Sequence, residues 1–83
     1  MQLLLKSLDN PEQELRFAIS DPEYCPDGAG CEVRLNGNVL FRSVIGVDPI
    51  NAIENAITAI RAYLAGSREN IAWSDGSRYA GPP

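Results

Sequence analysis

Asp21, Glu23 and Asp27 fall within one short stretch and are the first side chains whose spacing could do chemistry. Paired carboxylates can divide acid and base work in glycoside cleavage, but they need a cleft that holds the sugar between them. A chain of 83 residues has little material for a deep cleft. The same three acids lack the alternating oxygen spacing of a calcium-binding EF-hand loop. Two thiols, Cys25 and Cys31, flank Pro26-Asp27-Gly28-Ala29-Gly30. Two thiolates make only half of a tetrahedral zinc shell, and the chain has no histidine to complete it. Without histidine there is also no ordinary base to activate a serine or cysteine nucleophile. No serine sits in a Gly-X-Ser-X-Gly elbow, and Lys6 is the only lysine. The glycines at 28 and 30 lead into a strand, whereas a phosphate cradle leads into a helix N-terminus. We therefore expect no catalytic residue, no cofactor and no metal. The acidic stretch reads as a solvated loop available to a partner.

Charge narrows the partner. Eleven acids stand against seven bases, for a net charge of −4. A general nucleic-acid binder needs a cationic surplus to displace counterions, so that class is disfavoured. Adsorption to an anionic membrane is disfavoured for the same reason. An acidic domain suits a protein partner with a basic surface. No segment reaches the run of about 20 apolar residues that a membrane span requires. The apolar stretch within Met1–Leu8 is too short for a signal-peptide core and has no basic residues before it, so a cytoplasmic location is expected. In that compartment reduced thiols at Cys25 and Cys31 are favoured over a bridge, which would close too short a loop to add much entropy.

The elements that must position these residues can be read from periodicity. Hydrophobic residues make up 45% of the chain, enough for one folded core and far above the disordered range. Residues 1–83 form one small domain, with a polar Gly/Pro-rich tail from residue 74 to 83. Leu3 to Leu8 reads as a strand covered on both faces, and Asp9-Asn10-Pro11 as a turn. Glu14 to Ser20 alternates cleanly, with Leu15, Phe17 and Ile19 on one face. Asp21 to Gly30, with two prolines and two glycines, reads as a loop. Cys31 to Leu35 is a strand with Cys31, Val33 and Leu35 inward. Asn36-Gly37 is a strong hairpin signal leading into Val39 to Val47. A three-residue hairpin loop places Val39, Phe41 and Ile45 inward, whereas a two-residue loop places Leu40 and Val44 there. The first is preferred because it buries Phe41 and exposes Arg42.

Asp48 caps a helix, Pro49 suits its first position, and Gly66 stops it, giving Pro49 to Ala65. Ile50, Ile53, Ile57, Ile60 and Leu64 form one apolar stripe, through which the helix is expected to pack. Ala52, Ala56, Ala59 and Tyr63 form a second. That second stripe reads either as another side of the core or as a flat contact surface, because small residues permit close approach and tyrosine is enriched at interfaces. Ile71-Ala72-Trp73 can add a final short strand, with Trp73 plugging the end of the core. The expected fold class is α+β: an antiparallel sheet of four to five strands, order β-β-β-β-α and then a short β, with one helix on one face. The opposite face carries Arg16, Arg34 and Arg42 with Glu14 and Glu32. Cross-strand Arg–Glu pairing is favoured there over an RNA platform, which would want aromatic residues beside the arginines.

Gly46-Val47-Asp48, the run Ala52, Ala56, Ile60, Leu64, then Trp73, Asp75-Gly76 and a terminal proline together resemble a group of short bacterial domains of unknown function. The resemblance covers about the last forty residues. It implies a bacterial source and a compact α+β fold, and carries no activity. By analogy of build the chain is also similar to immunity proteins that neutralise toxins. The functional expectation is a non-catalytic protein-binding module, of acidic inhibitor or immunity type, that blocks a basic partner. Its candidate contact residues are Asp21, Glu23 and Asp27, with Ala56 and Tyr63 on the helix. The alternatives are a homodimer built through the helix or a strand edge and, less favoured, a nucleic-acid-binding sheet.

Overall fold

The structure, a computed structural model, describes residues 1–10, 12–67 and 71–73. The tail expected over 74–83 lies outside the described residues. The elements are β1 (Gln2–Ser7), β2 (Glu14–Ile19), β3 (Glu23–Cys25), β4 (Gly28–Leu35), β5 (Asn38–Gly46), α1 (Pro49–Gly66) and β6 (Ile71–Trp73). The six strands form one antiparallel sheet with a single helix on one face, which is the α+β architecture expected.

The sheet runs β5-β4-β2-β1-β6, and β3 lies beside β4 in line with β2. Registry explains that last placement. Ile19 faces Val33, Ser20 donates its amide to the Glu32 carbonyl, and Glu23 then faces Gly30. The chain therefore continues down the same edge of β4 with a one-residue slip at Asp21-Pro22. This corrects the reading of Asp21 to Gly30 as a loop. It is a tight hairpin, with Cys25 paired to Gly28 across Pro26-Asp27. Gly28 holds φ +137°, a conformation costly for any other residue.

The β4–β5 hairpin has a two-residue loop, since Leu35 faces Asn38. Asn36 and Gly37 both take positive φ, 52° and 85°, as the strand twist requires. The preferred three-residue loop is thus corrected, and Val39 faces outward opposite Arg34. Two irregularities in β5 then reset its alternation. One brings Phe41 opposite Val33, and the other brings Val44 opposite Cys31, leaving Ile45 outward opposite Gly30. Leu40, Phe41 and Val44 pack on the core as a result, so the two-residue alternative with Leu40 and Val44 inward holds, while Val39 and Ile45 are exposed. Asn36 also ties the hairpin to β2. Its Oδ1 accepts from the Arg16 amide at 2.9 Å, and its Nδ2 donates to the Glu14 carbonyl at 3.0 Å.

Local chemistry sets the start of α1. Asp48 Oδ1 accepts from the Asn51 amide at 2.7 Å, and Asn51 Oδ1 accepts in return from the Val47 amide at 3.0 Å. At the other end the Ser67 amide donates to the Tyr63 and Leu64 carbonyls, so the helix closes at Gly66. The buried seam is Ala52, Ala56, Ile60 and Leu64. Ile60 and Leu64 are buried as expected and the alanine stripe is a side of the core, but Ala52 and Ala56 take the places expected for Ile53 and Ile57. Ile53 and Ile57 lie half-buried on the flank, and Ile50 is exposed. The reason is closeness. Gly46 lies directly under Ala52, whose backbone leaves no room for even a methyl group on Gly46. Only alanine-sized side chains fit between α1 and β4–β5, so the helix turns its small residues to the sheet. Its larger ones reach the core where the seam moves on towards Leu5 and Phe17.

Candidate functional site

The open face of the sheet carries the acidic residues. Along β4, position 30 points to this face and is glycine, so the strand backbone is bare there between the side chains of β3 and β5. A shallow depression of about 490 Å³ results. Gly30 is its floor, with Asp21 and Glu23 on one side and Arg42, Ser43 and Ile45 on the other. Glycine in a strand interior commonly marks such a place, where another group can approach the backbone. Ile45 leans over Gly30 closely enough that a methyl group there would sit 2.9 Å from its Cδ1.

Of the acids expected to act together, Asp21 and Glu23 line this depression, and Asp27 does not. Asp27 is exposed at the tip of the β3–β4 hairpin. Glu32, which sequence reasoning had paired only with arginine on the sheet face, is the further carboxylate in the wall. Its position was legible only through pairing. Ser20 Oγ accepts from the Glu32 amide at 2.8 Å, and this bond holds the bend that brings Asp21 beside Glu32.

The arginines do not form a common cationic platform. Arg34 Nε donates to Glu32 Oε1, and Arg16 lies 3.7 Å from Glu14 in an exposed pair. Both are pairs two residues apart along one strand. Arg42 sits apart from them, in the wall of the acidic depression. A second shallow depression, about 540 Å³, lies over β1, β2 and β4 and mixes both signs through Glu14, Arg16 and Arg34.

The two thiols are free and lie on opposite faces. Cys25, half-buried, lines the open-face depression. Cys31 is buried under α1, with its Sγ 3.6 Å from the Ala52 carbonyl. Burial raises the Cys31 pKa above the ordinary thiol value, because the thiolate would lose its hydration. Among the described residues, no three His, Cys, Asp or Glu side chains are grouped as metal ligands.

The helix candidates separate. Ala56 is fully buried in the seam, so its assignment to a partner-contact surface is corrected: it belongs to the core. Tyr63 is 39% exposed, and its ring meets the buried Phe17 ring edge-on with centroids 5.9 Å apart. It therefore packs and presents its outer edge at once. Among the described residues no helix is long and apolar enough to cross a membrane. In comparisons with known proteins, no family model, no curated protein and no solved structure matches this chain.

Proposed function

We propose that this chain is a non-catalytic protein-binding module that takes a basic partner on its acidic, open sheet face. An inhibitor or immunity role is the form of binding that suits so small a domain. The observation that carries the reading is the depression over Gly30, where Asp21, Glu23 and Glu32 surround exposed strand backbone. A lysine or arginine side chain can lay its stem along Gly30 and Ile45 and bring its charged head to Asp21 and Glu23, beside the Glu32 carboxylate that Arg34 already pairs. The net charge of −4 speeds the encounter.

A lysine–serine peptide, basic and without apolar residues, is the direct probe. In amide NMR spectra it should perturb Asp21, Glu23, Glu32 and their strand neighbours. The effect should weaken as salt is raised, because exposed charges are screened beyond about 8–10 Å. The combined change Asp21→Asn, Glu23→Gln, Glu32→Gln should abolish it while the fold persists. Perturbation indifferent to both salt and that variant would overturn the reading.

A further inference from the structure

The three most exposed large apolar side chains in the described chain are Tyr24 (83%), Val47 (80%) and Ile50 (73%). They come from three elements, β3, the β5–α1 junction and the first turn of α1, and the fold brings them to one end. Tyr24, Ala29 and Gly46 lie in one row across β3, β4 and β5, on the face that bears the helix. Val47 follows Gly46, and its Cα stands against Gly28, so that a methyl group there would be 3.2 Å away. Ile50 lies on the α1 flank shared with Ile57. That flank is turned towards β1, since Ile57 lines a small cavity with Leu3, Leu5 and Trp73. The opposite flank meets the β5 edge, where Asn55 Nδ2 donates to the Ile45 carbonyl at 2.8 Å. β3 extends the line of β2 on the β1 side of β4, so Tyr24 and the Ile50 flank of α1 lie on the same side of the helix axis.

The rim of this patch is acidic. Asp27 adjoins Gly28, Asp48 lies between Val47 and Ile50, and Glu54 is one turn beyond Ile50. No lysine or arginine occurs in β3, in the β3–β4 turn, at the β5–α1 junction or in the first two turns of α1. A second copy docked end to end would set acid against acid, with no offsetting cation at this end among the described residues. Charge therefore favours a different chain over such a pair. We propose that Tyr24, Val47 and Ile50 are the apolar anchor for a protein partner whose docking surface is itself apolar at the centre and basic at the rim. This rests on the reading of the chain as a binder of basic proteins, and assigns where the affinity arises. Clustered exposed apolar side chains rimmed by polar ones are the usual mark of an interface, and a few such anchors carry most of its energy.

The test compares two probes on the intact chain: an amphipathic helix of lysine and leucine, and the lysine–serine peptide that probes the open face. The leucine peptide should bind about tenfold more tightly or better, and it should perturb the amides around Tyr24, Val47 and Ile50. The combined change Tyr24→Ser, Val47→Thr, Ile50→Gln alters exposed side chains only. It should remove that advantage while leaving circular dichroism and binding of the lysine–serine peptide as they were. Equal affinity for the two peptides would overturn the anchor while leaving the acidic-face reading intact. So would perturbation mapped to the Leu3–Ile57–Trp73 cavity instead. Equally tight binding of a glutamate–leucine peptide would overturn the role of the acidic rim. Concentration-dependent dimerisation abolished by the same triple change would replace the basic partner with a second copy.

Discussion

Replacing Gly46 by alanine should destabilise the protein more than a methyl group added at any other glycine of ordinary φ among the described residues. A Cβ at this position would lie 2.3 Å from the Ala52 amide nitrogen, 2.6 Å from the Asn51 carbonyl carbon and 2.8 Å from the Ala52 Cα. All three are backbone atoms of α1, so no side chain can swing aside. Relief requires the helix to lift by about 1 Å, since ordinary contact begins near 3.4 Å. The helix start is held there by the Asp48–Asn51, Val47–Asn51 and Asn55–Ile45 hydrogen bonds, and the Ala52–Ala56 seam packs directly below. Overpacking of this kind costs about 1–3 kcal/mol, and a clash confined to backbone belongs at the upper end. A domain of 83 residues has about 4–12 kcal/mol in total. With a urea slope of about 1 kcal/mol per molar, a loss of about 3 kcal/mol lowers the midpoint by about 3 M. The assay is equilibrium urea unfolding followed by circular dichroism, with Gly66→Ala as the control. Gly66 has no neighbour within 4 Å and no positive φ, so alanine there should be neutral or add up to about 1 kcal/mol. A Gly46→Ala loss below about 1 kcal/mol would show that α1 does not rest on the end of β5, and the seam derived from it would fall.

The same urea assay separates the two apolar stripes. Ile60→Ala should cost about 2–5 kcal/mol, and the half-buried Ile57→Ala distinctly less; the reverse order would mean the helix is rotated from the position described. Ala56→Glu should leave no folded protein, because it sets a carboxylate in a fully buried seam, and a folded monomer would refute that burial. The thiols should differ in reactivity: Cys25 should react with an aromatic disulfide in the native state, and Cys31 only as the chain unfolds. Burial raises the Cys31 pKa, so the folded state keeps that proton to higher pH than the unfolded chain. Its contribution is complete below about pH 8.5 and is lost as pH rises through the folded value. Cys31→Ala should therefore show a shallower alkaline decline in stability than the parent protein, and an equal decline would remove Cys31 as its source.

Much of this architecture was written locally. Asp48-Pro49 marked the helix start because an N-cap acceptor and a preset φ act within three residues, and the Asp48–Asn51 bond is their product. Leu15, Phe17 and Ile19 announced a half-buried strand by alternation alone, and all three are buried. Asn36-Gly37 announced a hairpin because both residues tolerate positive φ. The existence of the helix, of its principal strand partners and of one sheet therefore required nothing beyond short-range rules.

What tertiary structure alone decided depends on atoms far apart in sequence. Alternation in Asp21–Gly30 was hidden by prolines and glycines, yet β4 offers that segment a free edge and it pairs as β3. The two-residue turn and irregular registry in β5 exchange Val39 and Ile45 for Leu40 and Val44 on the core, an outcome set by where β4 already lies. The rotation of α1 was the largest departure. Hydrophobicity favours the isoleucine stripe, but Gly46 and Ala29 let the sheet approach so closely that only Ala52 and Ala56 can face it. Side-chain size at a distant contact outweighs the apolar period of the helix itself. The same choice leaves Ile50 in solvent at the end of the fold that also carries Val47 and Tyr24, and no short spacing along the chain relates Tyr24 to the other two.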